Sequence, residues 1–169
     1  HVHQGKMMSQ PKGPGFRTVF TVDDKGRPDI LDNVQTLPPG TREAVSGNVL
    51  VLKNGEVVKH PKDTARHPRS VVGLSRDRKV MFLVAIDGRQ TTSNGATYAE
   101  LGELLLRLGA WEALNLDGGG STAFVVKDPY TGAHGLLNKP SDGLPSLPWQ
   151  GVERPVIDVI GVRVDARGK

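Results

Sequence analysis

The chain has 169 residues, 37% of them hydrophobic and 5% aromatic, with no cysteine and a formal net charge of +4. The missing cysteines exclude disulfides and thiolate metal sites, and no apolar run approaches the roughly 20 residues that a membrane-spanning helix needs. The small, scattered excess of basic residues does not indicate a nucleic-acid-binding protein. The 21 glycines and 12 prolines favour short strands and turns over a helical bundle.

The beginning of the chain differs in composition from the rest. Residues 1–15 end in a stretch of glycine and proline and are predicted to form a flexible N-terminal arm, while residues 16–169 are predicted to form one domain. The first residue is His1 and not methionine, which suggests a processed or trimmed chain.

The first part of the domain predicts two strand pairs. Residues 16–22 alternate in the manner of a strand, and residues 28–31 are expected to return beside them after a turn. Val49–Leu52 and Val57–Val58 flank Asn54-Gly55, a pair that suits the positive backbone dihedrals of a two-residue turn. We therefore expect a second hairpin here.

The middle of the chain predicts two more strands and then one helix. Ser70–Leu74 and Val80–Ile86 read as strands, the second apolar enough to be buried on both faces. Thr97 and Glu100 form a capping-box pattern that starts a helix, and Gly109 is placed to end it. The leucines expected to face the core are Leu101, Leu104, Leu105 and Leu108.

Three short strands are predicted after the helix, over Ala113–Leu116, Thr122–Val126 and Pro155–Val164. Many strands with one main amphipathic helix indicate the α+β class, or α/β. We expect a single domain whose mixed, strand-rich sheet is packed by that helix.

A run of three glycines directly after an apolar strand is the strongest chemical signal. Gly118, Gly119 and Gly120 allow a ligand to approach the main chain closely, and their amides can form a nest for an anion such as phosphate. Asp117 would stand beside that nest, and Ser121 would offer a hydroxyl. A tight strand connection, in which Asp117 only bonds turn amides, is an equally good interpretation of the motif alone.

Four further segments carry polar groups suited to a phosphorylated ligand. Arg69, in His67-Pro68-Arg69, offers the two parallel hydrogen bonds that phosphate accepts, although a surface loop with a salt-bridged arginine explains this segment better in isolation. Asp87 precedes Arg89 at the end of an apolar strand and is able to orient an arginine or bind sugar hydroxyls. The remaining candidates are Asn138, Asp142 and Arg154.

Taken in order, these segments resemble a known family. From about Val45 to Val164 the chain is similar to the phosphodiester glycosidases related to the lysosomal uncovering enzyme, which removes N-acetylglucosamine from mannose-6-phosphate tags. The segments that carry the resemblance are His67-Pro-Arg69, Val72-Gly73, Asp87-Gly-Arg89-Gln90, the leucine-rich helix, Asn115-Leu-Asp117-Gly-Gly-Gly-Ser121, Asn138-Lys-Pro-Ser-Asp142-Gly and Glu153-Arg154-Pro155.

The resemblance implies an enzyme that hydrolyses a sugar-1-phosphodiester at the anomeric carbon, freeing the sugar, N-acetylglucosamine being one candidate. It implies Asp117 as nucleophile or general base, with Asp87 or Asp142 as second choices, and His67 against the phosphate or leaving group. The residues expected to bind substrate are Arg69, Arg89, Gly118, Gly119, Gly120, Ser121, Asn138, Asp142 and Arg154.

The chain departs from the family pattern in one respect. An upstream Asn-Gly-Gly-aromatic stretch that joins the site in the family is not found here. We therefore expect a partner in addition to the phosphorylated sugar or glycan, either the N-terminal fragment of the same precursor or a second copy of the chain. The resemblance also implies an extracellular or periplasmic location.

Two other functions remain open. One is a non-catalytic binder of phosphorylated glycans or cell-wall polymers, and the other is a metal-dependent phosphodiesterase that cuts the P–O bond. No metal site is predicted, because no paired-Asp or HxxxH spacing appears, and no cofactor is expected, although a divalent cation stays an alternative.

Overall fold

Two five-stranded sheets and one helix make up the body of the fold. The computed structural model describes residues 1–8, 18–144 and 147–164, with the backbone alone for residues 143–144 and 147–150. The first sheet has the order β2-β1-β5-β3-β4. Its strands are β1 (Val2–His3), β2 (Lys6–Met7), β3 (Val19–Asp23), β4 (Pro28–Leu31) and β5 (Thr41–Ser46).

The second sheet lies at the centre and has the order β7-β6-β10-β8-β9. Its strands are β6 (Val49–Lys53), β7 (Glu56–Val57), β8 (Arg69–Leu74), β9 (Met81–Ile86) and β10 (Glu112–Asn115). Helix α1 spans Tyr98–Arg107. After β10 come one 3₁₀ turn and two small ribbons, formed by Gly119–Ser121, β11 (Val125–Lys127), β12 (His134–Leu136), β13 (Asp142–Leu144) and β14 (Leu147–Val152).

The second sheet buries both of its faces, which divides the core in two. Successive side chains of a strand point to opposite faces, so Val71 packs with Leu101 and Leu105 of the helix. Its neighbour Val72 packs with Phe20 and Ile30 of the first sheet. The fold is therefore a three-layer arrangement of sheet, sheet and helix, with β10 near the middle.

The α+β class is confirmed in broad terms, and the mixed sheet is wrong. Every strand pairing in the described part of the chain is antiparallel, including β10 with both β6 and β8. This also removes the α/β alternative. Among the described strands β9 pairs with β8 alone, and it is only partly buried along its length, so the full burial predicted for it is wrong. It is apolar because its side chains reach both core clusters, Phe82 on the helix side and Leu83 on the other.

The local signals around the helix are confirmed. The Glu100 amide donates to the Thr97 hydroxyl, and the Glu100 carboxylate accepts from the Thr97 amide, as a capping box requires. Gly109 ends the helix at a φ of 96°. Leu108 is the exception, because it follows the last helical turn and is 51% exposed instead of lying in the core.

The two ends of the domain differ from expectation. Instead of a loose arm, residues 2–7 form a hairpin that turns at Gln4-Gly5, both at positive φ, and pairs Val2 with Ala44 of β5. Residues 9–15 of the expected arm lie outside the described residues. The strand expected over Pro155–Val164 is not formed, and this segment pairs with no strand among the described residues. Of the strand expected over Thr122–Val126, only the last two residues form, in a strand that runs from Val125 to Lys127.

The described residues contain no helix with the length and apolar character needed to cross a membrane.

Candidate functional site

The glycine run begins where the central strand β10 ends. The amide of Leu116 donates to the Ser70 carbonyl at 2.8 Å, and the amide of Gly119 donates to the Pro68 carbonyl at 3.0 Å. These bonds fix the loop beside the start of β8. A side chain at Gly118 would bring its Cβ to 2.7 Å from the Pro68 carbonyl oxygen, closer than such contacts occur. The first glycine is therefore required by the close approach of two backbones.

The other two glycines lie against charged side chains. Gly119 has a φ of 63°, and a Cβ there would come to 3.1 Å from a guanidinium nitrogen of Arg89. A Cβ at Gly120 would overlap the carboxylate of Asp142. The three glycines thus make room for ordered neighbours, which distinguishes this loop from a merely flexible connection.

Arg89 belongs to the wall of a polar cavity of about 220 Å³. Arg89 and Arg154 both line it, together with His67 and the three glycines. Arg154 pairs with Asp142, its Nε at 2.9 Å and its Nη2 at 2.8 Å from the same carboxylate oxygen. The cavity therefore has two guanidinium groups on its wall, the side chains best suited to phosphate oxygens.

The histidine in this cavity contacts an arginine. Nη2 of Arg89 lies 3.2 Å from Nδ1 of His67. A guanidinium only donates, so in this contact Nδ1 is the acceptor and Nε2 is left as the donor. His67 is itself held by two backbone bonds to Ala96, at 3.3 and 3.1 Å.

The three predicted carboxylates occupy different settings. Asp117 is exposed, and its Oδ1 accepts from the Gly118 amide at 2.9 Å, whereas no described residue bonds its Oδ2. Asp87 accepts from the side chain of Asn138 at 3.2 Å and from the Lys139 amide at 3.0 Å. Asp142 is held by Arg154 through its Oδ2, so among the three carboxylates Asp117 is the one that is exposed and bonded, within the described residues, only by a backbone amide.

Asp117 faces a second, larger cavity of about 780 Å³. Ser121 and Arg154 also line this cavity, so Arg154 is shared by the two spaces. The structure thus brings Asp117, Ser121, Arg154, His67 and Arg89 to one end of the central sheet.

The amides predicted to form an anion nest are mostly engaged. Gly118 donates to Asp117, Gly119 to Pro68, and Ser121 to the Gly118 carbonyl at 3.2 Å. Among the described residues only the Gly120 amide of this set has no bond. In this conformation an anion would meet guanidinium groups more than backbone amides.

Two predicted binding residues act within the protein in this structure. Arg69 is 5% exposed and donates from Nε to the Ala96 carbonyl at 2.9 Å, with its guanidinium carbon 4.0 Å from the Tyr98 ring centre and an ion pair to Asp63. Asn138 bonds Asp87, the Thr122 carbonyl and the Phe124 amide. Both residues hold loops together, and Arg69 is also one of the residues that line the polar cavity. Direct contact with substrate stays a prediction for each.

Two asparagines that were not among the predicted site residues also line the polar cavity. The Asn115 side chain donates to Asn48 Oδ1 at 2.8 Å and to the Leu116 carbonyl at 2.6 Å. Asn115 belongs to the glycine motif, so the sequence could have indicated it as a site residue. Asn48 follows a glycine between two strands, a pattern too common to indicate a site.

No group of three or more histidine, aspartate or glutamate side chains converges into a metal-binding cluster within the described part of the chain. The expectation of no cofactor stays a prediction.

Comparison with known proteins places the chain in a family. The family model described as phosphodiester glycosidase matches residues 1–163. Over 124 residues the chain is 29% identical to N-acetylglucosamine-1-phosphodiester alpha-N-acetylglucosaminidase of Bos taurus, an alignment covering 64% of this chain and 22% of that protein. Over 97 residues it is 32% identical to the SPbeta prophage-derived uncharacterized protein YomE of Bacillus subtilis (strain 168), covering 57% of this chain and 13% of that one.

A solved structure has the same fold. The zebrafish N-acetylglucosamine-1-phosphodiester alpha-N-acetylglucosaminidase catalytic domain, auto-inhibited by its pro-peptide, superposes with a TM-score of 0.68 and 23% identity, covering 88% of this chain and 52% of that chain. The chain belongs to the phosphodiester glycosidase family. It spans about a fifth or less of the two curated relatives and about half of the zebrafish structure.

Proposed function

We propose that the chain hydrolyses a sugar-1-phosphodiester at the anomeric carbon and releases the free sugar and a phosphomonoester. The observation that carries this proposal is the pair of guanidinium groups, Arg89 and Arg154, on the wall of a polar cavity next to the open carboxylate of Asp117. Family membership supports a glycosidase-type reaction on such substrates.

The phosphate of the substrate would occupy the polar cavity. Arg89 and Arg154 would donate to its oxygens, and the Nε2 proton of His67 would donate a further bond. These donors stabilise the negative charge that the phosphate gains as its bond to the sugar breaks. Because a phosphomonoester is a good leaving group, the reaction needs less help from a general acid than an ordinary glycoside does.

The sugar would lie with its anomeric carbon toward Asp117. In the hydrolysis a bond forms between a water oxygen and the anomeric carbon, and the bond from that carbon to the phosphate oxygen breaks. The electron pair stays on the phosphate oxygen, and the proton of the water passes to Asp117 acting as general base. In the alternative route Asp117 itself attacks the anomeric carbon, and water then hydrolyses the glycosyl intermediate.

Asp117 is preferred over the other two carboxylates because of their contacts. Asp87 accepts two bonds that tie β9 to residues 138–139, and Asp142 is paired with Arg154. N-acetylglucosamine is the sugar proposed first, because the bovine relative is named for that substrate. An extracellular or periplasmic location, and a partner in addition to the sugar substrate, belong to the same proposal.

The experiment is hydrolysis of the methyl phosphodiester of N-acetylglucosamine-1-phosphate, with products resolved by mass, in the presence and absence of EDTA. We expect free N-acetylglucosamine and methyl phosphate, with no effect of EDTA. Release of N-acetylglucosamine-1-phosphate and methanol would instead indicate a phosphodiesterase, and EDTA sensitivity a metal-dependent one. Binding without any turnover would favour a non-catalytic binder of phosphorylated glycans.

The variant that tests the catalytic role is Asp117→Asn, which keeps the size and the acceptor of the side chain. We expect turnover to fall by a factor of about 100 or more, in the range typical of a lost general base, with substrate binding retained. Glu56→Gln, a change at the β6–β7 hairpin, is the matched control. Full activity in folded Asp117→Asn would move the catalytic role to another carboxylate.

A further inference from the structure

The side-chain oxygen of Asn115 is a buried acceptor without a partner. Asn115 is 1% exposed, and its Oδ1 receives no hydrogen bond although the rest of the amide is fully engaged. Nδ2 donates to the Leu116 carbonyl at 2.6 Å and to Asn48 Oδ1 at 2.8 Å. Buried acceptors are nearly always paired in folded proteins, so such an atom needs an explanation.

The orientation of this amide is fixed by its neighbours. The carbonyl of Leu116 can only accept, so the atom facing it must be Nδ2. Rotating the Asn115 amide by half a turn would place its oxygen against that carbonyl and lose the bond. The unpaired atom is therefore the oxygen, and not a nitrogen assigned to the wrong position.

The residue that carries this oxygen lines the polar cavity. Asn115 does so together with Asn48, Arg89 and Arg154, and its buried Oδ1 is the unpaired atom of that side chain. An acceptor repels a phosphate oxygen and attracts a hydroxyl or an amide N–H. Guanidinium groups suit a phosphate, whereas the unpaired oxygen of Asn115 suits a hydrogen-bond donor.

We propose that Oδ1 of Asn115 accepts a hydrogen bond from a donor on the sugar ring, a hydroxyl or an acetamido N–H, and so makes Asn115 a specificity-determining residue. This inference rests on the proposed function, because it pairs this oxygen with the sugar of the same sugar-1-phosphodiester. A sugar that lacks the matching donor would leave the buried oxygen unpaired, which binding sites discriminate against strongly.

The test pairs variants of the protein with variants of the sugar. The substrates are the methyl phosphodiester of N-acetylglucosamine-1-phosphate and a series in which each hydroxyl in turn is replaced by hydrogen, plus one with the acetamido N–H methylated. We expect one member to lose about 10- to 100-fold in kcat/KM with the wild-type protein. With Asn115→Ala we expect kcat/KM for the parent substrate to fall by a similar factor. For this variant, kcat/KM for the modified substrate should be less than about threefold below that for the parent.

The same test has a readout that does not depend on a folded variant. In the wild-type protein, the side-chain amide signals of Asn115 are expected to shift in NMR spectra on addition of N-acetylglucosamine-1-phosphate, and not on addition of inorganic phosphate. Equal shifts with both, or a donor-deletion loss that persists unchanged in Asn115→Ala, would overturn the proposal.

The outcomes also separate this inference from the proposed function. Hydrolysis of the parent substrate without any coupling between Asn115 and a sugar donor would overturn this inference alone. Binding of the sugar phosphate with the selective Asn115 shift, but without hydrolysis, would support it and overturn the proposed reaction. If neither N-acetylglucosamine-1-phosphate nor its diester binds or reacts, both are wrong.

Discussion

The carboxylate of Asp142 lies so close to Gly120 that a methyl group at position 120 would overlap it. Asp142 in turn pairs with Arg154 on the wall of the polar cavity. The lack of a side chain at Gly120 thus leaves room for Asp142, and Asp142 fixes the position of Arg154 at the proposed phosphate site.

Gly120→Ala is expected to displace Asp142 and with it Arg154. Misplacement of a binding group by about 1 Å can reduce turnover by roughly 100-fold, so we expect a loss of 10-fold or more in kcat/KM. Stability should fall by only about 1–3 kcal/mol, the usual cost of overpacking. Steady-state kinetics and thermal unfolding measure the two effects.

The matched control is Gly135→Ala. A Cβ at Gly135 meets nothing within 4 Å, and the residue lies on the exposed strand β12. Its kinetics should stay at the wild-type level. Unchanged kinetics in Gly120→Ala as well would contradict the role of this contact.

Arg154→Gln is expected to lower the proposed activity on a phosphodiester substrate. Hydrogen bonds to charged groups contribute about 1.5–3 kcal/mol, which corresponds to a fall of about 10- to 100-fold in kcat/KM. Arg154→Lys should recover only part of this, because lysine lacks the planar fork of arginine. The control is Arg27→Gln, which removes an ion pair with Asp23 at the first sheet and should leave kcat/KM unchanged. An Arg154→Gln enzyme with wild-type kinetics would remove this residue from the phosphate site.

Arg69→Met is expected to lower the free energy of unfolding and to have a smaller effect on KM. The change leaves the largely buried carboxylate of Asp63 without its guanidinium partner, and loss of one partner of a buried pair typically costs about 3–5 kcal/mol. Arg66→Met, at an exposed ion pair with Glu100, should cost less than about 1 kcal/mol. Urea unfolding of both variants makes the comparison. A stable Arg69→Met protein with a large rise in KM would indicate that Arg69 contacts substrate after all.

Glu100 makes the start of α1 sensitive to acid. The hydrogen bond from the Thr97 amide, above all, lowers the pKa of Glu100 from its ordinary value. A lowered pKa in the folded state means that the ionised carboxylate stabilises the fold above the ordinary pKa of about 4.3. This contribution is lost as the pH falls from that value through the folded pKa.

The variant for this prediction is Glu100→Gln, which keeps an acceptor for the Thr97 amide but does not titrate. We expect its free energy of unfolding to fall less steeply with acid than that of the wild type below about pH 4.3. Glu103→Gln changes an exposed residue of the same helix, and its free energy of unfolding should depend on pH as that of the wild type does. A slope in Glu100→Gln equal to that of the wild type would refute the coupling. Urea unfolding at a series of pH values supplies the data.

Local chemistry could be predicted from the sequence because it depends on neighbouring residues. The capping box of Thr97 and Glu100 and the turn at Asn54-Gly55, with φ of 52° and 77°, are complete within four residues. The N-terminal hairpin is different. Its stability depends on pairing with β5, about 40 residues away, and a composition rich in turn residues does not reveal that partner.

The sequence supplied candidate residues for the site, but it did not show which of them the fold brings together. The order of motifs named Arg69 as the main phosphate ligand and Arg89 as a further binding residue, and the fold separates them by burial. Both line the polar cavity, but Arg69 is buried against Tyr98, whereas Arg89 is exposed and contacts His67. The unpaired oxygen of Asn115 had no sequence signal, because an asparagine next to a strand is satisfied in most proteins.

The central claim is that the bond between the anomeric carbon and oxygen breaks. The most direct measurement is hydrolysis of the methyl phosphodiester of N-acetylglucosamine-1-phosphate in water enriched in ¹⁸O, followed by the mass of the methyl phosphate released. Attack at the sugar leaves the original oxygen on phosphorus, so we predict unlabelled methyl phosphate. Methyl phosphate that carries one ¹⁸O atom would show attack at phosphorus and would contradict the proposed reaction.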